Sequence, residues 1–501
     1  MTGFLKRGFL PSVLAATAVA GTGFAGENES VSADDRVARL EALLTAQQQK
    51  ISNLEGQIAA ASSQDTEKAR TDALKQQIRE VLNEREFRDS LMGSTIQAGY
   101  NNGFYIGSSD EKFLMKFNGH MQVRWTFYET QTRNKYLLPD RDRDDKTGFS
   151  IDRLRLGISG HVYSKDLTYN LVLRADAADS QDVVAHYAYL NYRFRDEFQI
   201  QAGLFQLAST MDSNLNNSSY QGVDLGLYNA VFGLGNGVGV RFWGQLFEKK
   251  LTYYVDVVNS LNGDRNRPIT PDPSELDGNP AILARAVWTI LGEPGDYGVR
   301  EGDTRKDKST PVLGLGMSYA FNDDQGDRQT TRIPVPLVGW NPGRGGYGLT
   351  TTNGLQINQF SWDMGFKYMG FSAQGEYALR IVDPRSTTTR PFTPWWLVSG
   401  DDSTTAQHGA YVQVGYFLPI PGLENKLEWM ARIGGISALS DEQEGSWEYA
   451  TGLNYYIEGH DVKLQADMVR VYEAPISSSY SSLANVNDKA LVFRVQLNVA
   501  F

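Results

Sequence analysis

The chain has 501 residues, 48 Lys plus Arg against 59 Asp plus Glu, a formal net charge of -11 and no Cys. Its 41% hydrophobic and 11% aromatic content excludes an intrinsically disordered chain, and its acidic balance argues against nucleic acid as a partner. The missing Cys excludes disulfides and thiol chemistry, and past residue 25 no apolar run of about 18 residues is present to cross a bilayer as a helix.

Lys6 and Arg7 precede the apolar stretch from Gly8 to Ala20, with cleavage open after Ala20 or Ala25. This is the pattern of an export signal over residues 1–25. Residues 26–92 then read as an α-helical coiled-coil stalk. Val37, Leu44, Ile51 and Ile58 recur every seven residues, as do Leu40, Gln47, Leu54 and Ala61 three positions after them. The pattern weakens at Ser62, Ser63 and Gln64, and Leu74, Ile78, Val81 and Leu82 start a second one out of register. A stripe this exposed needs partner helices, so the stalk implies a homo-oligomer. Its place directly after the signal puts it in the periplasm. Residues 93–112 read as a linker.

From residue 113 the period changes to two. Leu491, Phe493, Val495, Leu497, Val499 and Phe501 alternate with Arg494, Gln496 and Asn498. Val462, Leu464, Ala466 and Met468 likewise oppose Lys463, Gln465 and Asp467. Strands are predicted at 113–129, 149–163, 167–177, 182–194, 198–206, 237–247, 251–259, 281–290, 311–321, 356–368, 371–381, 407–417, 424–434, 446–457, 461–472 and 489–501. The count is sixteen, an even number as in single-chain bacterial barrels. Short and long connections alternate almost throughout, with 178–181 and 291–310 as exceptions. Aromatic residues such as Tyr128, Tyr163, Phe417 and Trp447 gather near strand ends, as in the girdles of membrane barrels. The expected fold is all-β: a 16-stranded antiparallel transmembrane β-barrel over 113–501, carrying the N-terminal stalk.

Backbone groups must pair in lipid, so the sheet must close, and sixteen strands leave an aqueous lumen. Alternation points Lys116, Arg124, Arg153, Arg155, Arg174, Arg241, Lys367, Arg380, Arg432, Lys463 and Arg494 inward, against the acids Asp176, Asp256, Asp363, Glu376, Glu428 and Asp467. A lumen with this excess of basic residues implies a weak preference for anions. The long segment 207–236 holds Asp212, Asn214, Asn216, Tyr220 and Asp224 among many apolar residues, so it is expected to pack. It either folds into the lumen as a constriction or contacts a neighbouring subunit.

At this point the chain resembles the phosphate-selective porin O and P family of Gram-negative outer membranes. The resemblance lies in DRLRLGISG (Asp152 to Gly160) followed by the strand from Tyr169 to Arg174, in HYAYLNY (His186 to Tyr192) running into IQAGLF (Ile200 to Phe205), and in the final Phe501. It implies a 16-stranded homotrimer whose third outer loop folds into the pore. It also implies an outer-membrane porin passing small hydrophilic solutes, among lipid and lipopolysaccharide. Gln206 stands where that family commonly carries Lys after its Gly-x-Phe element.

Three other functions follow from single features. An enzyme would need a catalytic constellation, but no Gly-x-Ser-x-Gly, His-Glu-x-x-His or phosphate loop is present, and the five histidines are scattered. A tethering barrel would use the stalk to reach peptidoglycan. An oligosaccharide-selective pore would stack sugars on inward rings such as Trp243, Tyr254 and Tyr411. No metal site or cofactor is indicated.

Overall fold

A computed structural model describes residues 41–42, 44–52, 76, 96–101, 103–131, 145–175, 183–261, 279–295, 300–305, 308–324, 331–332, 350–351, 355–384, 405–437, 445–472 and 489–501. The chain divides into two units, Met1–Leu91 and Met92–Phe501. In the first, residues 41–42 and 44–52 are helical, and the heptad residues Leu44 and Ile51 are exposed. The export signal and most heptad positions lie outside the described residues, and the stalk's coiled-coil pairing has no structural support here.

The second unit opens with a hairpin, β1 (Ile96–Tyr100) and β2 (Phe104–Ser108). It lies within the stretch read from sequence as a linker. β2 pairs with the start of β3 (Phe113–Gln131), so this stretch is part of the sheet. Around the wall follow β4 (Lys146–Val162), β5 (Ser164–Arg174), β6 (Val184–Arg195), β7 (Phe198–Gln206), β8 (Asn236–Leu246), β9 (Leu251–Val258), β10 (Ala281–Leu291) and β11 (Val312–Asp324). A small separate pair, β12 (Thr331–Arg332) and β13 (Thr350–Thr351), comes next in the chain. The wall resumes with β14 (Leu355–Tyr368), β15 (Phe371–Pro384), β16 (Thr405–Phe417), β17 (Leu427–Ile436), β18 (Ser446–Glu458), β19 (Val462–Tyr472) and β20 (Lys489–Ala500).

Each of the sixteen long strands pairs antiparallel with its neighbours in sequence, and β20 pairs with β3 to close the barrel. The predicted strands are all present, with ends displaced by a few residues. The alternation that predicted them sorts the two faces. On β19, Lys463, Gln465, Asp467 and Val469 are buried while Leu464 and Met468 are exposed. Outside, Trp362, Met364, Trp429, Leu453 and Val495 belong to an apolar surface with no protein cover. The short turns, such as Met369–Gly370 with both φ angles positive, sit at one end of the barrel.

β4 carries one irregularity. Its register against β3 shifts between Gln122 and Val123, so that Arg153 pairs with Gln122, Ile151 with Val123, and Asp152 is the extra residue. Such a bulge breaks strict alternation. Asp152 and Arg153 consequently both serve the interior. Alternation alone assigned only Arg153 there.

Candidate functional site: the lumen and the loop inside it

Segment 207–236 folds into the barrel. It contains two 3-10 turns, Asp212–Asn214 and Asn217–Ser219, and one short helix, Leu227–Phe232. Leu207, Ala208, Val231 and Phe232 are fully buried, and the loop packs them against apolar residues of the wall such as Val258, Leu283, Ile436, Val469 and Val492. Polar groups on the far wall receive its backbone. The Glu376 carboxylate accepts from the amides of Met211 and Asp212 at 3.0 and 2.9 Å and from the Tyr411 hydroxyl at 2.9 Å. Gln374 donates to Asp212 at 2.8 Å, and Glu448 accepts from the Leu227 amide at 3.0 Å. Arg380 and Gln359 donate to the carbonyls of Val231 and Phe232 at 2.7 and 2.9 Å. Gln465 and Asn454 reach the carbonyls around Gln221. A loop that enters a membrane barrel must satisfy its backbone in this way.

A second segment closes the same side from the short-turn end. In the connection after β10, Gly302 donates its amide to Glu428 at 2.6 Å. Glu428 is fully buried and also accepts from Gln221 of the loop (2.6 Å), Asn454 (3.0 Å) and Tyr456 (2.6 Å). Glu301 accepts from His460 Nε2 at 2.5 Å and lies 3.6 Å from Lys367. Lys463 donates to His460 Nδ1 at 3.2 Å and to the Tyr220 carbonyl at 2.6 Å. Loop and turn thus meet through Glu428 and Lys463, and the lumen along β14–β19 is filled.

The space that remains lies against the opposite wall. A cavity of about 970 Å³ runs along β3–β8, lined by Asn118, His120, Arg155, Tyr169, Asn170, Tyr187, Tyr189, Gln201 and Arg241. The loop contributes Ser213, Asn214, Leu215, Asn216 and Ser218, and the hairpin contributes Tyr100. Among the predicted loop residues, Asn214 and Asn216 line this passage. Asp212 and Tyr220 are buried in the packing, and Asp224 belongs to an ion-pair cluster.

The predicted basic residues divide accordingly. Arg155 and Arg241 line the cavity, and Arg155 stands opposite Arg174 in register. Arg241 is held by Asp256 at 2.6 and 2.8 Å and lies over the Phe205 ring. Lys116 donates to Asn101 of the hairpin tip at 3.4 Å. Arg380, Arg432, Lys367 and Lys463 sit under the loop or the turn, with Arg432 paired to Glu448 at 2.6 Å. Arg124, Arg153 and Arg494 converge on Asp224. Most of the apparent excess of positive charge is therefore spent on internal pairs. Asp176 lies outside the described residues.

Sequence reasoning missed Asp152 behind the bulge, and it missed Arg285, which is buried and paired with Asp363 at 2.7 and 3.0 Å. Arg285 sits in a strand of apolar residues whose alternation is weak. Tyr411, considered for sugar stacking, is buried and hydrogen-bonded to Glu376 and Gln374, so it offers no stacking face. Trp243 and Tyr254 stack on each other at 6.2 Å. Among the described residues no group of three or more His, Asp or Glu is placed to hold a metal ion.

The closed antiparallel barrel, apolar outside and polar within, defines the class of protein. Residues 128–245 match the model of the family described as phosphate-selective porin O and P. That span contains the three motifs on which the resemblance was read, together with the whole inserted loop. No curated protein matches the chain. Among solved structures, the outer-membrane expressed OmpT of Vibrio cholerae is 10% identical, covering 78% of this chain and 98% of its own, with a TM-score of 0.47. The outer membrane channel DcaP of Acinetobacter baumannii is 11% identical over 81% of this chain and 100% of its own, with a TM-score of 0.45. Salmonella typhi OmpF in complex with daunomycin is 12% identical over 81% and 100%, with a TM-score of 0.47.

Proposed function

We propose that the chain is a Gram-negative outer-membrane porin, a water-filled channel for passive diffusion of small hydrophilic solutes with a weak preference for anions. The observation that carries this reading is the polar cavity of about 970 Å³ left between the inserted loop and the β3–β8 wall, inside a barrel with an apolar exterior. Arg155 and Arg174 on that wall support the anion preference, and internal ion pairs such as Arg241–Asp256 keep it weak. The short-turn end faces the periplasm in this reading, with the long loops outside among lipopolysaccharide. Residues 1–25 act as the export signal. The chain assembles as a homotrimer whose coiled-coil stalks associate in the periplasm, within reach of peptidoglycan.

The test is current in planar bilayers, combined with single cysteines placed in a background that has none. Ser159→Cys and Asn170→Cys, on the cavity wall, are expected to lose current on reaction with a charged thiol reagent. Ser372→Cys, fully buried against Gln221, is expected to keep it. Openings in threes with reversal potentials favouring anions support the full reading. No openings from folded protein, or block at Ser372→Cys alone, would overturn the proposed passage.

A further inference from the structure

We propose, on the membrane-barrel reading above, that the hairpin β1–β2 is a lipid-docking surface whose apolar face beds into the phospholipid headgroup layer of the periplasmic leaflet. Residues directly opposite each other in a ladder share one face of the sheet. Tyr100, Phe104, Phe117, Ile158 and Leu171 form one such row across β1–β5. Ala98, Ile106, Met115, Gly160, Tyr169 and Leu190 form another, reaching β6. Leu171 and Leu190 belong to the exposed apolar exterior of the barrel, so the hairpin turns its own apolar side the same way. The row between them is Gly99, Tyr105, Lys116, Ser159, Asn170 and Tyr189, and its last three residues line the cavity. Both faces of the wall therefore run on into the hairpin without a break.

The outer face of the hairpin is open. Ile96, Tyr100 and Phe104 are 69%, 65% and 59% exposed, more than most apolar residues of the wall. The Tyr100 and Phe104 rings meet edge to face at 5.4 Å. From Ile96 to Ser109 the chain holds no charged residue and no Pro, and Asp110, Glu111 and Lys112 follow in the turn to β3. Edge strands that stand in water are guarded by charge or Pro, and this one has neither. Aromatic and aliphatic side chains with charge gathered at one end suit a membrane–water boundary.

The free edge of β1 sets the depth. Among the described residues β1 pairs with β2 alone, which leaves amides and carbonyls bare along its other side. Hydrocarbon would leave those groups unsatisfied, whereas the headgroup layer supplies water and phosphate oxygens. Pairing of two β1 edges from separate copies would instead build a two-fold dimer, not the three-fold assembly proposed above.

The experiment uses single cysteines in the full chain, which has none of its own, each carrying a nitroxide label. The positions are Phe104→Cys and Ile106→Cys on the outer face, Tyr105→Cys on the inner face, Asp110→Cys in the charged turn and Met468→Cys on the exterior of β19. Each variant is checked for the heat-modifiable mobility of a folded barrel and placed in vesicles of phosphatidylethanolamine and phosphatidylglycerol. Relaxation by oxygen, which concentrates in lipid, is compared with relaxation by a water-soluble nickel chelate. The oxygen-to-nickel ratio is expected to be higher at Phe104→Cys and Ile106→Cys than at Tyr105→Cys and Asp110→Cys, and higher again at Met468→Cys. Equal ratios at the four hairpin positions, with Met468→Cys still in lipid, overturn the proposal and leave the barrel in the membrane. Spin–spin broadening at Phe104→Cys that vanishes on dilution with unlabelled protein overturns it in favour of a second copy. A watery Met468→Cys overturns the membrane-barrel reading itself.

Discussion

At Glu376 one carboxylate takes two loop amides and the Tyr411 hydroxyl, so a single side chain fixes where the loop enters the lumen. Glu376→Ala leaves those buried donors unpaired, at a cost of about 3 kcal/mol. The expected outcome is a barrel that still folds but shows noisier, larger single-channel current and new protease cleavage within 207–236. Cleavage and current unchanged from the intact protein would show that Glu376 does not hold the loop. The residue scale is also where sequence and structure diverge most. Arg494 and Lys463 are buried on the face of the sheet that alternation assigns to them. The role of Asp152 was not legible, because one extra residue in β4 leaves no mark in the sequence. Nor were the loop's sockets, because Glu376 and Asp212 are 164 residues apart.

Among the elements, the connection 291–310 breaks the alternation of short and long turns, and its residues 300–305 are a second filler of the lumen. Its hold on the barrel depends on pH. Burial works to raise the Glu301 carboxyl, but the His460 hydrogen bond and Lys367 bring it below its ordinary value. Burial, then Lys463, pushes the His460 imidazole down against the pull of Glu301. The folded state therefore holds Glu301 charged and His460 neutral. Both contributions are present above about pH 6.5 and are lost as acid protonates first the imidazole and then the carboxylate. Hydrogen exchange at residues 300–305 is expected to speed up relative to the β20 amides on going from pH 7.5 to pH 5. His460→Gln, which keeps a donor without titrating, is expected to flatten that difference. The long strands were legible because period two persists along each of them. The β1–β2 hairpin was not, because five-residue strands broken by Gly carry too little pattern to separate from a linker.

For the whole molecule, the decisive property is that polarity is reversed relative to a soluble protein. Charged and amide side chains are inside, and the apolar rings and aliphatic groups are outside. Met468 faces outward near the middle of β19, and Met468→Arg is expected to cost about 2–4 kcal/mol in a bilayer. Urea titration in lipid vesicles measures this, and a midpoint equal to that of the intact protein would contradict a lipid-facing β19. The composition alone contained the reversal only in part. The apolar content suffices for a soluble core, and it was the alternation, not the amount, that pointed outward.

The seam between β3 and β20 has a consequence for how the chain is assembled. Arg124 and Gln496 bond across it from positions 372 residues apart, whereas Arg432 and Glu448 on neighbouring strands are 16 apart. Loop closure over the longer distance costs about 3 kcal/mol more entropy. The Phe501 amide and carbonyl both bond Gly119, so the end of the β20 segment is fastened to the first long strand. A chain that lacks β20 therefore keeps two bare strand edges, on β3 and β19, and is left with an open sheet prone to pair with its neighbours.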